Sequence, residues 1–334
     1  MQRLTSFTDL VFSNCKELDI SKDERGNILD FHGGFQSLRS VKITFLPKLT
    51  SLQQWLLQAH NLEHLYIAGC DNLKDIPEQI EALQSLQNLN IEGCSLLTSF
   101  PEAMRRLTSL THLALKNCNE LDISKDESDN ILNFHGGLQS LRSMVIEGLP
   151  KLTSLSQWLL QARNLKHLDI SLESLTIVRC HQLTSLSQCI RHLSSLVDLS
   201  IQECEELDIS KDKSGNILDF HGGLQSLRSV DFTLLPKLTS LPQWLLQARN
   251  LERLEIWGCH NLKDIPEQIE TLQSLQILVV EECDSLTSFP EAMRRLTSLT
   301  HLTIYRCPKL EESCERQAGK DWDKIAHIPN IRFR

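Results

Sequence analysis

The pattern L-x-x-L-x-I-x-x-C-x-x-L returns along almost the whole chain, most often 24 residues apart. It is clearest at 62–70, 86–94, 110–118, 251–259, 275–283 and 299–307. A unit this short holds one strand and a return path, and it cannot bury its apolar side alone. Stacking neighbours removes that defect, because each repeat then covers the next and one continuous core forms. The period therefore excludes an ordinary closed domain and predicts a quasi-linear array.

An apolar skeleton of this kind with a period in the twenties is the leucine-rich-repeat pattern. The expected fold is an α/β repeat: a solenoid or horseshoe with one parallel strand per repeat on the concave face. Short helical turns or loops occupy the convex face. A longer period overlies the short one. LDISKDERGNILDFHGG begins at Leu18, and close copies begin at Leu121 and Leu207. The cysteines just ahead of them, Cys15, Cys118 and Cys204, stand 103 and 86 residues apart, and Cys307 follows after another 103. Residues 1–334 are thus expected to form a single domain of about 12 repeats. Three tandem blocks start near 15, 118 and 204, and 308–334 form a C-terminal cap. The middle block is short by 17 residues, which leaves strand motifs at Leu165 and Leu172 only seven apart. Seven residues cannot make a strand, a turn and a return. The Leu172 motif is expected to form the full rung, since Cys180 and a complete return segment follow it.

Several classes of function are excluded early. Net charge is −9, so no electrostatic footprint for nucleic acid or an anionic membrane exists. No apolar run approaches the roughly 20 residues of a membrane span. The opening residues lack the build of a secretory signal, and none of the 15 asparagines lies in an N-x-S/T acceptor. A cytoplasmic protein is expected. Nine of the 11 cysteines occupy one motif position: Cys15, Cys70, Cys94, Cys118, Cys180, Cys204, Cys259, Cys283 and Cys307. They read as a ladder of free, inward thiols, not as disulfides or zinc ligands, because C-x₂₋₄-C spacing is missing. Cys189 and Cys314 lie off the ladder without an assigned role. The tryptophans Trp55, Trp158 and Trp244 sit at core spacing in the return segments and read as packing. The acidic inserts around Asp23, Asp126 and Asp212 lack the closing Glu of a calcium loop. The FHGG histidines His32, His135 and His221 mark a turn. Strand histidines His64, His112, His167 and His301 never fall on adjacent repeats, so no metal site is expected. No phosphate loop, nucleophile elbow or zincin motif occurs. The chain reads as a binder and not an enzyme, with no cofactor.

Residues 62–118 align with 251–307 without a gap, and 15 of 57 positions differ. With the five x residues of L-x-x-L-x-I-x-x-C taken to face away from the core, nine of the 15 such positions differ. The pairs are His64/Arg253, Tyr66/Glu255, Ala68/Trp257, Asn88/Ile277, Asn90/Val279, Gly93/Glu282, Ala114/Thr303, Lys116/Tyr305 and Asn117/Arg306. Residues 97–113 and their counterparts, which include a convex turn, are identical. Change concentrated on one face, with new charge and exposed aromatics, points to selection for contacts there. The candidate partner-binding residues are His64, Tyr66, Asn88, Asn90, Lys116, Arg253, Glu255, Trp257, Glu282, Tyr305 and Arg306.

The tail carries a further signal: Cys307-Pro308-Lys309-Leu310, Gly319-Lys320-Asp321-Trp322, and Ile325-Ala326-His327-Ile328-Pro329. It resembles the C-terminal end of plant nucleotide-binding leucine-rich-repeat disease-resistance proteins of the coiled-coil class, and the C-x-x-L-x-x-I/F-P repeats resemble that family's too. The resemblance implies pathogen perception and autoinhibition, with a pathogen effector or guarded host protein as ligand. It also implies docking on the nucleotide-binding module of a parent or related receptor. That module and the coiled-coil domain are absent from this sequence. The ending suggests a natural C-terminus, on a receptor's sensor region or a truncated relative. The alternative is a standalone adaptor, such as the substrate-binding subunit of a ubiquitin ligase.

Overall fold

The structure, a computed structural model, describes residues 7–18, 20, 35–123, 138, 140–155, 172–186, 193–210 and 224–333. The chain divides into two compact units at residues 166–173. The first holds six parallel strands in chain order: β1 (Asp9–Ser13), β2 (Ser40–Thr44), β3 (His64–Ala68), β4 (Asn88–Glu92), β5 (His112–Lys116) and β6 (Ser143–Glu147). The second holds seven: β7 (Ser174–Val178), β8 (Asp198–Gln202), β9 (Ser229–Thr233), β10 (Arg253–Trp257), β11 (Ile277–Glu281), β12 (His301–Tyr305) and β13 (Asn330–Phe333). This is a leucine-rich-repeat solenoid, as the period predicts.

Register follows directly from the repeat. Leu65 pairs with Leu89 and Ile67 with Ile91, so every core side chain stacks on its equivalent one rung away. Leu254, Ile256, Leu302 and Ile304 are fully buried, and each such burial stabilises by roughly 1.5–3 kcal/mol. The Leu172 motif forms β7, with Leu172 and Cys180 buried. The Leu165 motif lies outside the described residues, as do Asp23, Asp126 and Asp212 with most of their inserts, His32, His135, His167, His221, Trp158 and Cys189.

One expectation needs correction. Each of β1–β12 is only five residues long, so three outward positions belong to it: the third, fifth and seventh of the motif. The eighth, read above as part of the open face, has left the strand. It takes a left-handed backbone at Gly69, Gly93, Asn117, Gly258, Glu282 and Arg306, with φ of 51–63°. The cause is a hydrogen bond. The eighth residue's N–H donates to the carbonyl ending the next strand, as Gly69 does to Glu92 at 2.8 Å and Glu282 to Tyr305 at 2.9 Å. The chain then turns inward to place the cysteine. Where glycine holds this corner, a Cβ is tolerated unequally. At Gly93 it would meet only the Gly69 backbone at 3.6 Å, whereas at Gly69 it would strike the Phe45 ring at 2.5 Å. Gly93→Ala is expected to cost about 1 kcal/mol in urea unfolding, the left-handed penalty alone, and Gly69→Ala clearly more. Equal losses would remove the role assigned to Phe45.

The return path is a 3-10 turn at Glu78–Ala82, Glu102–Arg106, Glu267–Thr271 and Glu291–Arg295. Proline stands just before each turn as its N-cap, not at the first helical position. Its carbonyl accepts the turn's opening bond, as Pro101 does from Met104 at 3.1 Å. The orphan N–H groups are satisfied from the preceding rung. Glu267 accepts from Glu291 N at 3.1 Å and Ala292 N at 2.8 Å, and Glu78 accepts from Ala103 N at 2.9 Å. Ion pairs Arg106–Glu81 and Arg295–Glu270 run alongside. The turn side therefore has a structural reason to stay constant between blocks. In other repeats the return segment is an α-helical turn, α1 (Gln54–Leu57) or α2 (Gln243–Leu246). Trp55 and Trp244 are buried there, as their spacing predicts. Their indole N–H groups donate to the carbonyls of Ile20 at 3.1 Å and Ile209 at 2.8 Å, inside the LDIS motif.

The C-terminal cap consists of α3 (Pro308–Ser313), α4 (Trp322–Ile325) and β13. Pro308 opens α3 where its missing N–H costs nothing. Asp321 is 2% exposed and binds the cap to the last rungs. It accepts from Ser313 Oγ at 2.6 Å and Phe289 N at 3.0 Å, and pairs with Lys324 at 2.7 Å. Burial alone would raise its carboxyl, but Lys324, Ser313 and the Phe289 N–H outweigh that and hold it below the ordinary aspartate value.

Candidate binding face

Outward side chains of the strands form one open face in each unit. In the first unit, His64 is exposed and its Nδ1 lies 2.8 Å from Asn88 Nδ2. Tyr66 is half-buried, donates to Glu92 at 2.9 Å, and lies under Lys42 at 5.1 Å from the ring centre. Burial, then the Glu92 carboxylate, raises the phenol. Lys116 pairs with Glu147 at 3.5 Å, and Asn90 and Ala114 sit between these groups. Most of these polar groups are paired within the face; the buried Asn90 side-chain oxygen has no hydrogen-bond partner among the described residues.

In the second unit the same positions carry different chemistry. Arg253 pairs with Glu255 on β10. Trp257 stands at the strand's end, 41% exposed, an unusual state for a tryptophan. Ile277 and Val279 replace two asparagines on β11. Tyr305 on β12 is half-buried, with the Arg306 guanidinium 4.9 Å from its ring centre. Arg306 is tethered to Glu282 at 2.6 Å. Glu282 and Arg306 thus reach the site from the left-handed corner and flank the face instead of lying on it.

Counting only true strand positions sharpens the comparison of blocks. Seven of the nine outward residues on β3–β5 and β10–β12 differ; the exceptions are Glu92/Glu281 and His112/His301. The other 48 aligned positions show eight differences. Asp231 on β9 gave no signal in that comparison. It accepts from Ser200 at 3.0 Å, Gln202 at 2.6 Å and Thr233 at 2.8 Å, and lies in register with Glu255.

Behind this face stands the cysteine ladder. Eight of its nine members are buried, and Cys15 is half-buried. Each thiol points back to the strand end, as Cys307 does to the Tyr305 carbonyl at 3.4 Å. Burial pushes the Cys259 thiol up to about 11 and that of Cys314, buried in the cap, up to about 12. The ten described cysteines are free. Alkylation of the native chain is expected to be slow at the eight buried ladder sites and, within the ladder, fastest at Cys15. Mass spectrometry after brief labelling would show this, and uniform labelling would contradict the burial. Among the described residues no group of three or more metal-ligating side chains converges, and no helix is long and apolar enough to cross a membrane.

Parallel ladders, inward cysteines and an open face of varied side chains together define a leucine-rich-repeat protein, a scaffold for protein contacts. Residues 75–205 match the family model described as plant disease resistance protein RPS2-like, leucine-rich repeats. No curated protein matches the chain. Among solved structures, the leucine-rich-repeat domain of the type III effector XopL is 21% identical, with a TM-score of 0.50 over 81% of this chain and 77% of that one. A leucine-rich-repeat protein of Leptospira interrogans is 20% identical over 92% of each chain, with a TM-score of 0.33. The functional domain of InlJ from Listeria monocytogenes is 14% identical, with a TM-score of 0.47 over 99% of this chain and 69% of that one. At these identities the likeness concerns the fold alone.

Proposed function

We propose that the chain is the recognition and autoinhibitory region of a plant intracellular immune receptor of the nucleotide-binding leucine-rich-repeat type. Its third block would contact a protein ligand through the open face. A fold of this kind hosts many functions, so the argument rests on the site. The observation that carries it is the replacement of seven of nine strand-face residues between two otherwise near-identical blocks. The replacements introduce Trp257 and Tyr305, residue types that anchor interfaces. The match of 75–205 to resistance-protein repeats supports the plant-receptor part of the reading. The ligand is a pathogen effector or a guarded host protein, and the regulatory partner is a nucleotide-binding module. Regulation would work by competition, with a ligand shifting the docking equilibrium by its differential affinity for the two states. Co-expression with nucleotide-binding modules of coiled-coil-class receptors should yield a complex that co-purifies. Failure with every module, together with firm binding to a ubiquitin-ligase subunit, would replace this reading by that of an adaptor.

A further inference from the structure

The two open faces also differ in charge balance. On β8–β12 the 15 outward strand positions hold Asp198, Asp231, Glu255 and Glu281 against a single guanidinium, Arg253. The corresponding positions of β1–β5 hold Asp9 and Glu92 against Lys42 and Lys116, which balance. Over these five strands the second unit's face is net acidic and the first unit's is neutral, with Arg332 on β13 lying beyond the five in register with Thr303.

Within the acidic face one row stands out. Trp257, Glu281 and Tyr305 lie side by side in register across β10, β11 and β12. Strand spacing of about 4.8 Å sets the two aromatic residues roughly 10 Å apart with the carboxylate between them. The matching row of the first block is Ala68, Glu92 and Lys116. There Glu92 accepts the Tyr66 hydroxyl at 2.9 Å and has Lys116 as its register neighbour. In the third block Tyr66 has become Glu255 and Lys116 has become Tyr305, while the glutamate is unchanged. Glu281 has lost the hydroxyl and the cation, and its carboxylate makes no ion pair among the described residues. Arg253 is committed to Glu255 and Arg306 to Glu282. Arg306 also covers one side of the Tyr305 ring and fixes it.

We infer that this row receives an arginine or lysine side chain from a basic, partly apolar segment of the protein partner. The inference rests on the reading of the open face as a protein-binding surface. The cationic head meets the Glu281 carboxylate, and its stem and charge lie against Trp257 and the uncovered side of Tyr305, where aromatic faces attract cations. Asp231 and Asp198, farther along the face, favour further basic residues on the same segment. An acidic partner or a nucleic acid backbone would be repelled by the same carboxylates.

The test is selection of random displayed peptides on the whole chain, with counter-selection on Trp257→Ala. Selected peptides should be enriched in Arg and Lys beside an apolar residue. Their affinity should fall by at least about tenfold with Glu281→Gln, and likewise with Tyr305→Lys, which restores the first block's residue. Glu270→Gln, a carboxylate lost from the turn side, should leave affinity unchanged. Peptides that need Trp257 yet carry no excess of basic residues would overturn the inference while leaving the open face as the binding surface. An equal loss with Glu270→Gln would overturn it as general charge attraction. Should no selected peptide depend on Trp257, the wider reading of the face would fail as well.

Discussion

Asp321→Asn is expected to lower unfolding stability by about 3 kcal/mol, the usual cost of breaking a buried, hydrogen-bonded ion pair from one side. Three donors converge on this carboxylate: the Ser313 hydroxyl, the Phe289 N–H and the Lys324 ammonium. Asparagine offers one acceptor and two new donors, so it leaves the Lys324 charge without its nearest partner. Glu291, 3.5 Å from Lys324 and mostly exposed, replaces only part of that attraction. The effect has a sign in pH. The folded carboxyl lies below its ordinary value of 3.8, so its contribution is complete above that value and disappears as pH falls through the folded value. Lys324 is raised above 10.5 by Asp321 and Glu291 against the opposing effect of burial, so its share is lost only as pH rises beyond that. Between these limits the pair stabilises the cap fully. Urea unfolding at pH 7 should separate variant from wild type, and the gap should narrow well below pH 3.8. A solenoid is only as stable as its terminal rungs allow, so the cap should unfold first in the variant. A change under about 0.5 kcal/mol at pH 7 would mean that the carboxylate is not an anchor.

The sequence made the rungs legible because the period fixes which residues stack. Once Leu65 and Leu89 are 24 apart in identical motifs, their pairing follows without further information. Burial of Trp55, Trp244 and eight of the nine ladder cysteines follows from the same arithmetic. Three features needed coordinates. The left-handed corner is not written in residue type, since Glu282 and Arg306 hold it as readily as Gly69 and Gly93. A hydrogen bond to the next rung imposes it. Glu267 and Glu78 carry no mark of a structural role in the sequence, and only the turn geometry brings the N–H groups of the following rung to them. Their spacing of 24 or 25 residues from those groups was the available signal. Glu281 is hidden in the sequence for the opposite reason. A comparison of blocks finds what changed, and this residue stayed constant while its surroundings were replaced.

Trp257→Ala is the other large expected effect, and it should fall on binding instead of folding. Truncating a central aromatic anchor typically costs about 2 kcal/mol or more, or roughly 30-fold in affinity. Trp257 is 41% exposed, and its strand is held by Leu254 and Ile256, both fully buried on the other side. The first block has Ala68 at the matching position of an equally regular strand, so alanine is already known to fit there. Unfolding stability should therefore change by no more than about 0.5 kcal/mol, the range of an ordinary surface replacement. The control is Arg295→Ala on the turn side, which breaks an exposed ion pair with Glu270 worth at most about 1 kcal/mol and touches no open-face residue. Calorimetric titration of wild type and both variants against the same partner distinguishes the faces. Loss confined to Trp257→Ala fits recognition through the open face. Equal losses in both would show that the partner does not read the replaced strand positions, and the contrast between the blocks would then need another cause.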